Sequence, residues 1–528
     1  MAIKTVGIVG AGASGLVSIK SCLEEDLQPI CFERSSGVGG LWYTESEKKK
    51  DGFNYSFNSL TTNTSKEMMC LSDFPYPEEY PLFPTPRQME EYYQKYADHF
   101  GLMKYVRLNQ NVVNIVSIGS GRWKIKSENA DNPDDVSETE VDALIVCSGL
   151  QSVPYMPDIP GAEEFTGELI HSQYFRRGSD YAGKTVVVLG AAFSGGDISV
   201  DCSRYAKMTY ISTRRGCWVL RRTFAGKGPW DTHILSQWFN YMPECFQELY
   251  MERVIRRAVN HEALGLESDI RLYAGATIMI NDSIDNQIYC GKLKVKPGIE
   301  RLTKTGVVFT DGSRVDNVDA LIIATGYNKR FPFIESKEIR DSMEELQLYK
   351  FIFNPDVPTL AAIGLFKGLG PQAYAYEMQS RYVVRILTGK LKLPSKDAMR
   401  KDIKEVSEIN IKDHGHVHAY VLWMPYILDL ARRIGVLPSF WSYIFTSPRI
   451  AMKLAFGTMY PYMFRIQGPH SWNGAMDALL AGPRKTVMAT KTRASKVPYR
   501  NFLHTLAQVG LVFGVLFVAV MLGLYFKM

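Results

Sequence analysis

The chain opens on an apolar strand, Val6 to Val9, that runs directly into Gly10-Ala11-Gly12-Ala13-Ser14-Gly15. Three glycines at that spacing permit a tight strand-to-helix turn and close approach of the backbone to a pyrophosphate, whose charge then meets the N-terminus of the helix. A second apolar stretch, Pro29 to Phe32, ends at Glu33, roughly twenty residues downstream, where an acid accepts hydrogen bonds from ribose hydroxyls. The same acid repels a 2′-phosphate, so the expected ligand is FAD or NAD rather than NADP. A chain that begins this way is committed to an α/β unit built on parallel strands.

With 528 residues the chain exceeds one ordinary domain of about 100–150 residues several-fold, and at least two domains are expected. Ala143 to Val146, ending in Cys147-Ser148-Gly149, reads as a buried strand closing in a small-residue turn, and Leu321 to Ile323 with Ala324-Thr325-Gly326-Tyr327 repeats the pattern. A proline-rich crossing (Pro154, Pro157, Pro160) follows the first copy and reads as an interdomain linker. Next comes a strand from Thr185 to Leu189 and a second phosphate-type turn, Gly190-Ala191-Ala192-Phe193-Ser194-Gly195-Gly196-Asp197. The strand after it, Met208 to Ser212, ends in Thr213-Arg214-Arg215 with no acid at the ribose position. A guanidinium fork there pairs with a 2′-phosphate, so the second site is expected to take NADP(H). Ala192 departs from the glycine pattern and brings a methyl group where the backbone should approach the pyrophosphate.

The charge balance, 61 basic against 55 acidic residues for a net +6, contains no long like-charge run and gives no reason to expect nucleic acid as a partner. Eight scattered cysteines form no Cys-x-x-Cys pair and read as reduced thiols. His414, His416 and His418 alternate as in a strand, yet no nearby cysteine or supporting hydrogen-bond partner accompanies them; they read as surface histidines, and no metal is expected. Sequons at Asn54, Asn63 and Asn281 follow no secretory signal and are expected to stay unused in a cytosolic catalytic portion.

Val509 to Phe526 is eighteen residues without a charge, or about 27 Å of helix, enough to cross a thin bilayer. Arg484, Lys485, Lys491, Arg493, Lys496 and Arg500 lie upstream and only Lys527 comes after it, which keeps the bulk of the chain cytosolic by the positive-inside rule. A short span suits the endoplasmic reticulum. Between Tyr420 and Arg465, aromatic and aliphatic residues are broken by prolines. Two accounts of that segment stand open: amphipathic helices in a membrane interface, or a core layer roofing the nucleotide site.

Five motifs, the amino-terminal fingerprint, Gly39-Gly40-Leu41-Trp42, Asn63-Thr64-Ser65-Lys66-Glu67-Met68-Met69, Phe165-x-Gly167-x-x-x-His171-x-x-Tyr174 and Ala324-Thr325-Gly326-Tyr327, together resemble the microsomal flavin-containing monooxygenases of the dimethylaniline monooxygenase type, nearly end to end. The resemblance implies an α/β chain with two Rossmann-like dinucleotide-binding domains, an FAD domain interrupted by an inserted NADP domain, plus a C-terminal membrane-anchoring helix. The implied boundaries are 1–155 (FAD, first part), 156–328 (NADP, with a helical insertion), 329–445 (FAD, second part), 446–505 (membrane-associated) and 506–526 (transmembrane).

The cycle it implies starts with reduction of FAD by NADPH and addition of O2 at flavin C4a; the hydroperoxide then oxygenates nitrogen or sulfur of a small lipophilic compound. By the same resemblance Gly10, Ala11, Gly12, Ala13, Ser14, Gly15, Glu33, Gly40, Leu41 and Trp42 fall on FAD positions. Gly190, Ser194, Gly195, Gly196, Asp197, Thr213 and Arg214 fall on NADP positions. Asn63, flanked by Thr62 and Thr64, matches an asparagine near flavin and nicotinamide; its amide donates to the peroxide and accepts from the nicotinamide amide without titrating. His171 reads as a hydrogen-bonding residue rather than a proton shuttle. The altered turn at Ala192 and Phe193 implies a weaker grip on NADP+ and more peroxide leakage. An NADPH oxidase making chiefly H2O2 and a non-catalytic membrane-anchored flavoprotein are the alternatives. A homo-oligomer is compatible with all three.

Overall fold

In the computed structural model, residues 3–43, 56–224, 228–366, 368, 370–414, 423–488, 490–491 and 493 are described. Val509–Phe526, the proposed anchor, lies outside them, as do His416 and His418. Among the described residues no helix is long and apolar enough to cross a membrane.

Two sheets organise the chain. In the first, the strands run Phe353–Asn354, Val357–Ala362, Ala143–Val146, Thr5–Val9, Gln28–Phe32 and Val106–Arg107 across the sheet. All neighbours are parallel except the Phe353–Asn354 edge strand. The second holds Leu293–Lys296, Met208–Ser212, Thr185–Leu189, Ala320–Ile323 and Glu168–His171, parallel throughout. The two repeated strand-and-turn patterns therefore sit beside the two glycine turns, one pair per sheet. Their central strands are apolar on both faces and buried, as parallel strands covered on both sides must be.

Chain order explains the interleaving. The first sheet takes strands from before residue 147 and from 353 onward, and the second sheet from 168 to 323 lies between. Helix Ala13–Glu24 covers the first sheet and packs on helix Gln372–Leu387, with the Ser18 and Ser380 hydroxyls 3.0 Å apart.

The segment from 423 to 465 resolves the choice left open by its composition. Ile427, Leu430, Ile434, Leu454, Tyr462 and Phe464 are buried in the main core, while Trp441 and Phe445 are exposed. The segment is chiefly a core layer. Its anchor is Arg465, only 1 % exposed, whose guanidinium meets Glu24 at 2.9 Å, Asp73 at 3.1 Å and Glu377 at 2.8 Å. Burial raises the Glu24 carboxyl, but Arg465 and Lys20 outweigh it and hold the group down at about 2. Of the three alternating histidines only His414 is among the described residues, and it ends helix Lys396–His414.

Candidate functional site: a cleft shared by two glycine turns

The two turns are alike in their chemistry. Gly10 has φ +98° and Gly190 φ +111°, conformations that favour glycine, and a Cβ at either would press on a backbone carbonyl, that of Cys147 at 2.7 Å or Ala324 at 2.5 Å. A Cβ on Gly15 would stand 1.9 Å from the Gly10 oxygen, and one on Gly195 1.9 Å from the Gly190 oxygen. These glycines let each helix sit directly on its strand. The middle position is different: Gly12 (φ −72°, ψ −169°) and Ala192 (φ −85°, ψ −165°) share an extended conformation open to any residue. Ala192 therefore leaves the turn's shape intact.

Both helices begin without a side-chain cap and without an acid in the first turn. Their first N–H groups have no intrahelical partner, which is the condition for binding an anion. Gly39 donates to the Ala11 carbonyl at 3.0 Å and brings Gly40 against Gly12. This leaves a slot without side chains beside the first helix N-terminus, a cradle that fits a pyrophosphate.

The two strand ends differ in charge. Glu33 is 7 % exposed, and its Oε2 accepts from the Ala11 N–H at 2.7 Å while Oε1 accepts from the Ser35 N–H at 2.9 Å. The carboxylate is thereby pinned at the end of its strand with lone pairs remaining for hydroxyl donors. At the corresponding end in the second sheet, Arg214 and Arg215 are exposed, and neither has an acidic partner among the described residues. The Thr213 hydroxyl donates to the Gly216 carbonyl at 3.2 Å and closes the turn that carries them.

One cleft of about 2510 Å³ is lined by both turns, well above the roughly 300–1,000 Å³ of a pocket for one small ligand. Of the residues expected from sequence, Gly10, Gly12, Ala13, Ser14, Glu33, Gly40, Leu41, Trp42, Thr62, Asn63, Thr64, Gly190, Ser194, Thr213 and Arg214 line it; Ala11, Gly15, Gly195, Gly196 and Asp197 do not. The glycines among these act behind the wall through helix packing. Asp197 is turned away to face Asn281, whose Nδ2 donates to it at 2.7 Å, and Arg222, at 3.6 Å. Burial raises the Asp197 carboxyl to about 6, against the pull of Arg222 and Asn281. Phe193, 41 % exposed, stands in the cleft at the start of its helix.

Asn63 sits on a loop gripped from the second sheet's side of the chain. The Trp230 indole N–H donates to the Asn63 carbonyl at 3.2 Å, and the Arg222 guanidinium donates to Asn63 Oδ1 at 3.0 Å and to the Thr62 carbonyl at 3.0 Å. Asp231, fully buried, accepts from both the N–H and the hydroxyl of Ser65, and burial raises its carboxyl to about 6. Sequence reasoning did not find Arg222, Trp230 or Asp231, because their partners lie some 160 residues earlier and no local pattern connects them.

His171 is buried, its Nε2 is 2.9 Å from the Gly326 carbonyl, and its Nδ1 accepts from the Gln173 N–H at 3.2 Å. Those partners fix a neutral tautomer, and burial lowers its pKa. Both ring nitrogens are occupied in holding the linker to the Ala324–Tyr327 turn, which leaves none to move a proton.

Two parallel-sheet units with matching glycine turns, one ending in a pinned acid and one in exposed arginines, open on a single cleft, the arrangement of a dinucleotide-dependent oxidoreductase. The chain matches the flavin-binding monooxygenase-like family over residues 3–525 and belongs to it. It is 37% identical to human flavin-containing monooxygenase 2 over 508 residues, covering 93% of this chain and 94% of that protein. Its identity to the rat dimethylaniline monooxygenase [N-oxide-forming] 2 is 36% over 541 residues, covering 100% and 99%. Among solved structures, S-allyl-L-cysteine S-oxygenase from Allium sativum shares the fold with a TM-score of 0.63 at 22% identity, covering 93% of this chain and 100% of that one. The protein is a flavin-dependent monooxygenase that uses FAD and NADPH.

Proposed function

We propose that the enzyme oxygenates soft nitrogen or sulfur nucleophiles of small lipophilic compounds, with NADPH as reductant and O2 as oxidant. The observation that carries this reading is the single cleft lined by both glycine turns with Asn63 in its wall. The N-oxide-forming and S-oxygenating relatives support the substrate class. When bound and reduced, the flavin supplies oxygen activation, by this proposal as a C4a-hydroperoxide.

The chain's residues do the rest. The first helix N-terminus and the Gly12–Gly40 slot hold the FAD pyrophosphate, and Glu33 takes its ribose. The second helix N-terminus and Arg214 hold NADPH through its pyrophosphate and 2′-phosphate. Asn63 donates a hydrogen bond at the reacting centre without exchanging a proton. We assign the FAD unit to 1–155 and 329–445 and the NADP unit to 156–328, a division supported by the interleaved sheets. By the sequence of residues 484–528 we place the enzyme on the endoplasmic reticulum membrane, its catalytic portion facing the cytosol.

The test is stopped-flow mixing with NADPH, which should bleach the oxidised flavin band within seconds, followed by O2 and a tertiary amine or a sulfide. Product formed in step with NADPH consumed is expected; H2O2 as the main product would favour an oxidase, and no bleaching a non-catalytic flavoprotein. Asn63→Ala should keep FAD bound yet release more H2O2, and unchanged coupling would overturn the role given to that amide.

A further inference from the structure

We propose that Arg222 is a positioning residue that fixes which end of the Asn63 amide faces the cleft. The inference rests on the assignment of Asn63 to the reacting centre. An asparagine amide can turn over and exchange its oxygen for its nitrogen at little cost unless a neighbour accepts only one choice. Arg222 is that neighbour. A guanidinium has donors alone, so the atom 3.0 Å from its Nη2 must be Oδ1. The Asn63 oxygen is thereby committed to the wall, and Nδ2, which makes no hydrogen bond among the described residues, is left to the cleft. At the reacting centre Asn63 is then a donor only, not the donor and acceptor that residue type alone allows.

The arginine is itself held firmly enough to impose this choice. It is 7 % exposed and lies behind the cleft lining. Its Nε donates to the Thr62 carbonyl at 3.0 Å and its Nη2 also reaches the Thr61 carbonyl at 3.4 Å. Nη1 donates to Asp282 Oδ2 at 3.2 Å, and Asp282 Oδ1 accepts from the Arg222 N–H at 2.9 Å. Asp197 stands 3.6 Å from Nη2 and supplies a second carboxylate. A planar fork that serves two carbonyls, an amide oxygen and two carboxylates has one orientation available. Glutamine at this position has both a donor and an acceptor and would let the Asn63 amide take either orientation; lysine has donors only and would preserve the choice with poorer geometry.

The experiment compares Arg222→Gln, Arg222→Lys, Asn63→Ala and the Arg222→Gln/Asn63→Ala double variant as full-length holoenzymes. H2O2 released per NADPH consumed is read together with the visible circular dichroism of the bound oxidised flavin, which needs no turnover. Arg222→Gln should raise leakage about fivefold, the scale of one lost hydrogen bond, with Arg222→Lys in between and the double variant no worse than Asn63→Ala. The dichroic change of Arg222→Gln should likewise vanish in the Asn63→Ala background. Full additivity, or leakage unchanged by Arg222→Gln while Asn63→Ala leaks, overturns the proposal and leaves the Asn63 assignment standing; an inert Asn63→Ala overturns that assignment instead. Should Arg222→Gln fail to hold FAD, Asp282→Asn carries the test, since its side chain is 39% exposed: a smaller rise in leakage that disappears beside Asn63→Ala is expected, and a rise that persists there refutes the proposal.

Discussion

The two glycine turns of this chain make the same backbone from different residues. Gly10 pairs with Gly190 and Gly15 with Gly195, and in each pair the clash a side chain would meet is the same. Between them Gly12 is matched by Ala192, and Ala13 by Phe193, with no change of conformation. The fold therefore requires glycine only at the first and last positions. The middle ones are free to differ: a slot open to Gly40 in the first turn, a methyl and an exposed phenyl in the second.

The comparison is broken most severely at the required glycines. Gly15→Ala and Gly195→Ala each place a Cβ 1.9 Å from a carbonyl oxygen, an overpacking that costs ~1–3 kcal/mol. Gly15→Ala should yield colourless protein, while Gly195→Ala should stay yellow and reduce slowly with NADPH, as absorbance and stopped-flow would show. Arg214→Ala removes the free guanidinium that Glu33 has no counterpart for in the first sheet. Loss of a charge-assisted contact should raise the KM for NADPH about ten- to a hundredfold and leave that for NADH nearly unchanged, which steady-state kinetics with both nucleotides would resolve. Ala192→Gly with Phe193→Ala gives the second turn the residues of the first and should lower H2O2 release per NADPH a few-fold; equal leakage would show that the second turn does not set coupling.

The smallest effect concerns Asp231, under the Asn63 loop. Burial raises its carboxyl from 3.8 to about 6, so between those values the folded chain binds the proton that the unfolded chain has lost. Its contribution to stability therefore falls as pH rises through that window. Asp231→Asn does not titrate, so its melting temperature relative to the parent should improve from the low end of the window to the high end, as paired thermal melts would show.

Both nucleotide turns, Glu33 and Arg214 were legible because each signal is local: a glycine spacing, a strand end, a charge. Helix packing that places Gly15 and Gly195 behind the cleft rather than in it needs the third dimension. So does the turning of Asp197 toward Arg222. The clasp on the Asn63 loop was invisible for a different reason. Trp230, Asp231 and Arg222 are residue types common in any wall, and only folding brings them to residues 62–65. The aromatic segment before Arg465 could not be apportioned between core and interface because composition reports apolarity without saying what covers it.

The Arg465 clamp bears on how this enzyme can be trimmed. A cut anywhere upstream of that guanidinium would leave the buried Glu377 without its ion-pair partner and leave Glu24 and Asp73 with Lys20 as their one remaining cation among the described residues, an uncompensated negative charge in the core. Shortened forms meant for crystallisation or secretion must therefore retain the chain through Arg465, and helix Ala475–Met488 belongs with it because Ala475, Ala478 and Leu479 are buried.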